Sequence, residues 1–145
     1  MKHIAAMLFV LANVGFGQSI PTAEHTEDFN IRVLIKKFSD LRNAHDGSGV
    51  GALYSEDAEL FSGPYSVLRG RQALSKHWAN MPGRMNRAVQ SIDLLGGSLA
   101  IVRVEGHTDY TEAAAILEPP LQFSEVFILV KKNGLWEIRI QQQLP

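Results

Sequence analysis

Apolar residues recur at steps of three and four in the first third of the chain. Ile31, Leu34, Ile35, Phe38 and Leu41 have this spacing, so they share one face of a helix. The pattern ends where a run of glycine and polar residues begins, and such runs break helices. The sequence therefore predicts an amphipathic first helix.

Shorter elements follow this break. A short helical segment is predicted at residues 50–55, and short strands at 58–61 and 65–68. A further helix is predicted over 71–81, with Trp78 on its apolar face, because Pro-Gly follows and ends it.

The remainder of the chain has the alternation and the turns of strands. Four longer strands are predicted, at residues 88–95, 99–110, 123–132 and 136–143. Gly96-Gly97 and Asn133-Gly134 are typical hairpin turns, and residues 111–120 form a connection with room for one helical turn. Helices followed by antiparallel strands favour an α+β domain with helices on one face of a curved sheet.

The first residues have the order of a signal peptide. Lys2 precedes an apolar run from Ile4 to Val14, and the small residues Gly15 and Gly17 come before Gln18. The run is shorter than the roughly 20 residues that span a bilayer, although a core helix or a membrane anchor is an alternative. We expect a signal peptide at 1–17, a flexible linker at 18–28, a folded domain at 29–145, and export to the periplasm or the medium.

Composition and charge exclude several classes of function. The 145 residues fit one domain, and the formal net charge of −1, without a basic stripe, argues against nucleic-acid binding. The chain has no cysteine, which excludes disulfides and thiolate chemistry. No stable membrane insertion is expected after removal of the signal peptide.

Two stretches resemble the SnoaL-like, nuclear transport factor 2-like superfamily, in its SgcJ/EcaC-type branch without an assigned function. The first stretch comprises His45-Asp46-Gly47, the Leu-Tyr-Ser-Glu-Asp-Ala run at 53–58, and Gly-Arg-Gln-Ala-Leu at 70–74. The second is the strand at 123–132 with its Asn-Gly-Leu-Trp continuation at 133–136.

This resemblance implies a fold but no single activity. The fold would be a bent antiparallel sheet wrapped around the N-terminal helices as a cone with a pocket inside, which is a cystatin-like α+β roll. Homodimers that form through the sheet are frequent among similar proteins. These proteins include isomerases, dehydratases, cyclases, binding modules and scaffolds, so the fold does not decide the function.

His107 and Asp109 are the most suggestive acid–base pair. Together with Glu105 they share one face of a strand, where a histidine between carboxylates can act as a general base. Regular alternation places them outside, opposite Val104, whereas a bulge at Gly106 would turn them into the cone. Both orientations remain open from the sequence, and no metal site is expected.

Other candidates lie around the expected pocket. Asp57 could be a base and Tyr54 a hydrogen-bond donor one helical turn away, or the two could be a helix-end residue and a packed tyrosine. Trp78, Phe61 and Phe127 are expected in the pocket wall. Alternation from Trp136 through Ile138 and Ile140 places Gln142 inside, where many relatives have a histidine and where Gln can only form hydrogen bonds.

The sequence therefore leaves three functions open. The first is an exported domain that binds a small, largely apolar molecule in its cone, often as a homodimer. The second is an enzyme of isomerase, dehydratase or cyclase type, which would use a histidine–carboxylate pair and no cofactor. The third is a dimeric interaction scaffold with a filled cone.

Export predicts a defined processed form. The intact mass of the protein from the periplasm or the medium should correspond to the 128 residues (145 − 17) that begin at Gln18. A Leu8→Arg change in the apolar run should leave the chain full-length and inside the cell. Full-length wild-type protein found only in the cytoplasm would contradict export.

Overall fold

The computed structural model describes residues 22–110 and 121–144. The helices are α1 (Ala23–Asn43), α2 (Gly47–Gly51) and α3 (Arg71–Ala79). The strands are β1 (Tyr54–Phe61), β2 (Val67–Arg69), β3 (Arg84–Leu95), β4 (Leu99–Asp109), β5 (Leu121–Lys132) and β6 (Leu135–Leu144). The signal peptide and the helical turn expected within 111–120 lie outside the described residues.

Helix α1 begins earlier than the periodic pattern indicates. Thr22 caps it, since its hydroxyl accepts a hydrogen bond from the His25 amide at 3.4 Å, and residues 23–28, expected as linker, are helical. Glu27 then ties the N-terminal part of α1 to the sheet, where its carboxylate accepts hydrogen bonds from the Trp136 indole, at 2.6 Å, and from Lys131. These partners are more than 100 residues away in the chain, so local spacing could not reveal them.

The strands form one mixed sheet in the order β2-β1-β6-β5-β4-β3. The α+β prediction is confirmed, but the expectation of a purely antiparallel sheet is wrong, because β1 and β6 run parallel. Strand β1 follows helices α1 and α2 in the chain and pairs with β6, the last strand. Such a pairing joins distant parts of the sequence and leaves no local signal.

The glycines after α1 allow two helices to pack closely. A Cβ atom at Gly47 would lie 2.2 Å from the Ser75 carbonyl oxygen, and one at Gly51 would lie 1.9 Å from the Ser75 hydroxyl. Helix α2 ends at Gly51 and β1 begins at Tyr54. Of the helical segment expected at 50–55, residues 50–51 are helical, 52–53 form a turn and 54–55 belong to β1.

The core lies between the inner face of the sheet and helices α1 and α3. The ring of Phe38 is at its centre and forms edge-on contacts with the rings of Trp78, Tyr54 and Phe127 at 5.2, 6.0 and 5.9 Å. These four side chains are fully buried. Between residues 22 and 110 and between 121 and 144, no helix combines the length and the hydropathy needed to cross a bilayer.

Candidate functional site

Strand β4 keeps a regular alternation through Gly106, so His107 and Asp109 lie on the outer face. The pairing of β3 with β4 is continuous at Gly106, and its one irregularity falls between Val89 and Ser91. The expected alternative of a bulge at Gly106 is therefore wrong. Gly106 has a packing role instead, because a Cβ atom there would lie 2.4 Å from the Phe123 ring.

The outward histidine and its carboxylate neighbour form a loose surface pair. The Nε2 atom of His107 lies 3.5 Å from Asp109 Oδ2 and 3.2 Å from the Asn86 side-chain nitrogen. The His107 and Asp109 side chains are 40% and 34% exposed. Water therefore reaches both groups, and a reaction inside the cone would not use them.

Asp57 lies on the outer side of β1, away from Tyr54. The Asp57 side chain is 72% exposed and forms an ion pair with Arg139 at 3.2 Å. The two residues were expected one helical turn apart. They occupy a strand instead, on which the Tyr54 side chain points inward and the Asp57 side chain points to solvent.

Phe61 and Gln142 were expected inside the cone, and both placements are wrong. Phe61 follows the buried Leu60 on β1, so alternation turns it outward and leaves it partly exposed. In β6 the register with β5 shifts after Ile138, which makes Arg139 an extra residue. The shift reverses the facing of every later residue, so Gln141 is buried and Gln142 is exposed.

Tyr54, Trp78 and Phe127 are fully buried in the interior, and the pocket-wall role expected of them stays a prediction. They are joined there by buried polar side chains that form one hydrogen-bonded series, which we call the inner polar row. The row comprises Trp78, Tyr54, Gln141, Glu125 and Arg87.

Hydrogen bonds run in one direction along most of the inner polar row. The Trp78 indole can only donate, and it donates to the Tyr54 hydroxyl at 2.9 Å. The hydroxyl donates in turn to the Gln141 side-chain oxygen. The Gln141 amide nitrogen then donates to the Glu125 carboxylate at 2.8 Å. Because the indole cannot accept and the carboxylate accepts, the orientations of the hydroxyl and the amide are fixed.

The row ends at a fully buried ion pair. Arg87 donates to Glu125 from Nε at 2.7 Å and from Nη2 at 3.3 Å, and neither side chain is exposed. The guanidinium carbon lies 4.5 Å from the Phe38 ring centroid and 5.4 Å from that of Phe123. The Nη1 atom of Arg87 is buried without a hydrogen-bond partner in the part of the chain that the structure describes.

A second guanidinium, that of Arg42, is also fully buried. It donates to the backbone carbonyls of Met81, at 3.2 Å, of Pro82, at 2.5 Å, and of Gly83. Its Nε is buried without a partner among the described residues. Burial lowers the pKa of Arg42, and the neighbouring positive charge of Arg87 lowers it further.

Ionisation within the interior favours neutral Tyr54 and neutral His77. Burial raises the pKa of the Tyr54 hydroxyl far above its ordinary value, so the group stays protonated. Burial, and then the charge of Arg42, lowers the pKa of His77, whose ring stacks edge-on against Trp78 at 4.8 Å. His77 is therefore uncharged at neutral pH.

The sequence analysis missed three members of the inner polar row, which are Glu125, Arg87 and Gln141. Strand alternation could have indicated that Glu125 and Arg87 face inward, because Glu125 is two residues from Phe127 and Arg87 is two residues from Met85. Gln141 depends on the bulge at Arg139 and had no such signal.

A groove among the described residues borders the inner polar row at Arg87, although the side chain of Arg87 is not exposed to it. The groove is open, has a volume of about 470 Å³ and lies between α1 and β3. Its walls include Ile35, Ser39, Asn43, Asn86, Arg87 and Val89. In residues 22–110 and 121–144, no three histidine, aspartate or glutamate side chains are grouped so that they could hold a metal ion.

Comparison with known proteins identifies the fold. No family model and no curated protein matches the sequence. A domain of unknown function with a cystatin-like fold from Nostoc punctiforme has a TM-score of 0.71 at 16% identity, over 81% of this chain and 76% of that one. An NTF-2 like protein of unknown function from Shewanella oneidensis has a TM-score of 0.68 at 18% identity, over 81% and 98%.

A third similar structure is described as a ketosteroid isomerase-like protein, from Erwinia carotovora atroseptica. Its TM-score is 0.68 at 19% identity, over 79% of this chain and 92% of that one. Identities this low establish the fold alone. The cone-shaped, nuclear transport factor 2-like α+β fold that the sequence resemblance implied is therefore confirmed.

The inner polar row makes a stability prediction at Tyr54. In Tyr54→Phe the Trp78 N–H and the Gln141 oxygen lose their partner, and the free energy of unfolding should fall by about 1–3 kcal/mol. Tyr65→Phe is the matched control, since Tyr65 is 97% exposed. Urea unfolding measures both variants, and equal stability of Tyr54→Phe and wild type would contradict the assigned hydrogen bonds.

Proposed function

We propose that this chain is a small-molecule binding domain whose ligand reaches Arg87 in the interior of the cone. The observation that carries the proposal is the buried Nη1 atom of Arg87, which lacks a partner among the described residues. An unpaired buried donor costs about 1–3 kcal/mol, which a hydrogen bond to a bound ligand would offset.

The surroundings of Arg87 suit a ligand with an apolar body. Aromatic rings of Phe38 and Phe123 lie against the guanidinium, which leaves a mainly apolar contact surface with one polar anchor. The groove between α1 and β3 is the route of entry that we propose. Its volume of about 470 Å³ lies within the range of small-molecule sites, which is roughly 300–1,000 Å³.

The binding proposal has more support than the enzyme alternative. A catalytic pair needs a water-poor setting, whereas His107, Asp109 and Asp57 all face solvent. The Tyr54 hydroxyl, the expected donor to a carbonyl, already has a donor and an acceptor partner. One similar structure is described as ketosteroid isomerase-like, but no described residue of this chain supports transfer of that activity.

We also propose that the protein forms a homodimer through the outer face of its sheet. Ile101, Ile128 and Ile140 are directly paired across β4, β5 and β6, and they alternate with residues that point into the core. Val126 and Val130 extend this outer apolar strip along β5. A second copy of the same face would remove the strip from water.

Native mass spectrometry of the protein, purified gently from its own host, tests binding. The wild type should carry a reproducible small added mass. The double variant Arg87→Gln/Glu125→Gln, which removes the ion pair without leaving one charge buried alone, should lose that mass.

A surface ion pair supplies the matched control for the binding test. Arg103 and Asp93 form a pair at 2.7 Å with side chains that are 57% and 50% exposed. The variant Arg103→Gln/Asp93→Asn should keep the added mass. Wild-type protein that is repeatedly free of any added mass, or an inner variant that retains it, would count against binding at Arg87.

Sedimentation velocity tests the dimer. The wild type should sediment as a dimer, and Ile128→Lys should sediment as a monomer because the change places a charge in the middle of the outer apolar strip. Val33→Lys is the control, since Val33 is 48% exposed on α1, away from the sheet face. A monomeric wild type would exclude this assembly.

A further inference from the structure

We infer that the ligand held at Arg87 is a small organic anion, a carboxylate with an apolar body. The inference rests on the proposed function, since it gives the chemical class of the ligand at the same site. It draws on the balance of buried charge, the unpartnered donors and the aromatic surroundings.

The charges of the interior do not balance within the described part of the chain. Its fully buried charged side chains are two guanidinium groups, Arg42 and Arg87, and one carboxylate, Glu125, which leaves a net charge of +1 (two minus one). A buried charge without a counter-charge is strongly unfavourable. The carbonyls around Arg42 offer dipoles but no negative charge. One anionic group from a ligand would complete the balance.

Each guanidinium also keeps one buried N–H without an acceptor. The atoms are Arg42 Nε and Arg87 Nη1, and neither has a partner in the described residues. Guanidinium groups present their N–H bonds in a planar fork that matches a carboxylate, and hydrogen bonds between charged groups are stronger than neutral ones. A carboxylate would supply both a negative charge and acceptor oxygens, whereas a neutral amide or alcohol would supply an acceptor without the charge.

Among the described residues, the groups next to the two guanidinium groups do not supply the missing negative charge. The carboxylate of Glu125 is already engaged by Arg87 and Gln141. The depressed pKa of His77, caused by burial and then by Arg42, leaves its ring neutral.

The aromatic rings around Arg87 limit which chemical groups the body of the anion can carry. Phe38, Phe123 and Trp78 have their centroids 4.5, 5.4 and 5.7 Å from the Arg87 guanidinium carbon. Such a wall favours an aromatic or alicyclic acid over a phosphate or a sugar acid, whose hydroxyl groups would be buried without partners.

Matched acids and amides test the inference. Benzoate and benzamide, and cyclohexanecarboxylate and its amide, are titrated into the full chain while side-chain Nε–Hε resonances of arginine are followed by NMR. The Arg42 resonance should shift with the acids, and their Kd should be at least roughly tenfold lower than that of the amides. The exposed Arg103 serves as a control in the same spectrum.

Variants separate a specific contact from general attraction of anions. Arg42→Gln removes the excess positive charge of the interior and should lose the preference for acids. Arg87→Gln/Glu125→Gln leaves that charge in place and should weaken binding while the preference remains, and Arg103→Gln/Asp93→Asn should change neither. Equal affinity for acids and amides, or absence of binding of either probe class, would overturn the inference. If only the anion inference fails, the added mass in native mass spectrometry would identify a neutral molecule. If the proposed function fails, no preparation would carry an added mass.

Discussion

The inner polar row is the constraint on which the arrangement of the core depends. It joins α3, β1, β6, β5 and β3 through hydrogen-bonded side chains. If one of these side chains moved out of the core, its neighbour in the row would lose its hydrogen-bond partner. Loss of one member of its terminal ion pair would leave an uncompensated charge, which costs roughly 3–5 kcal/mol. The row therefore holds five elements in one mutual position, while the aromatic rings around Phe38 pack at the centre of the core.

The two faces of the sheet carry different kinds of side chain. The inner face carries the polar row and the buried arginines, and the outer face carries the isoleucine strip together with His107 and Asp109. Because a strand alternates its side chains, one extra residue decides which face a group occupies. The bulge at Arg139 brings Gln141 inside, and the absence of a bulge at Gly106 keeps His107 outside.

The binding proposal and the anion inference rest on the same feature, which is a set of buried polar side chains whose hydrogen bonds and charges are not all paired among the described residues. An apolar filling of equal shape would stabilise such a core at least as well. We therefore attribute the two arginines and the glutamate of the interior to the proposed recognition of a ligand rather than to stability. The outer apolar strip is independent of this argument and concerns only assembly.

The sequence by itself determined the α+β class, most strands, both hairpin turns and the aromatic interior residues Tyr54, Trp78 and Phe127, because periodicity and turn chemistry are local. It even carried a signal for Glu125, which shares the parity of Phe127. Only the tertiary structure decided the early start of α1, the parallel pairing of β1 with β6, the facing of His107 and Gln142, and the partners of Arg42. Each of these depends on contacts between distant segments or on a single-residue register shift, and neither has a local pattern.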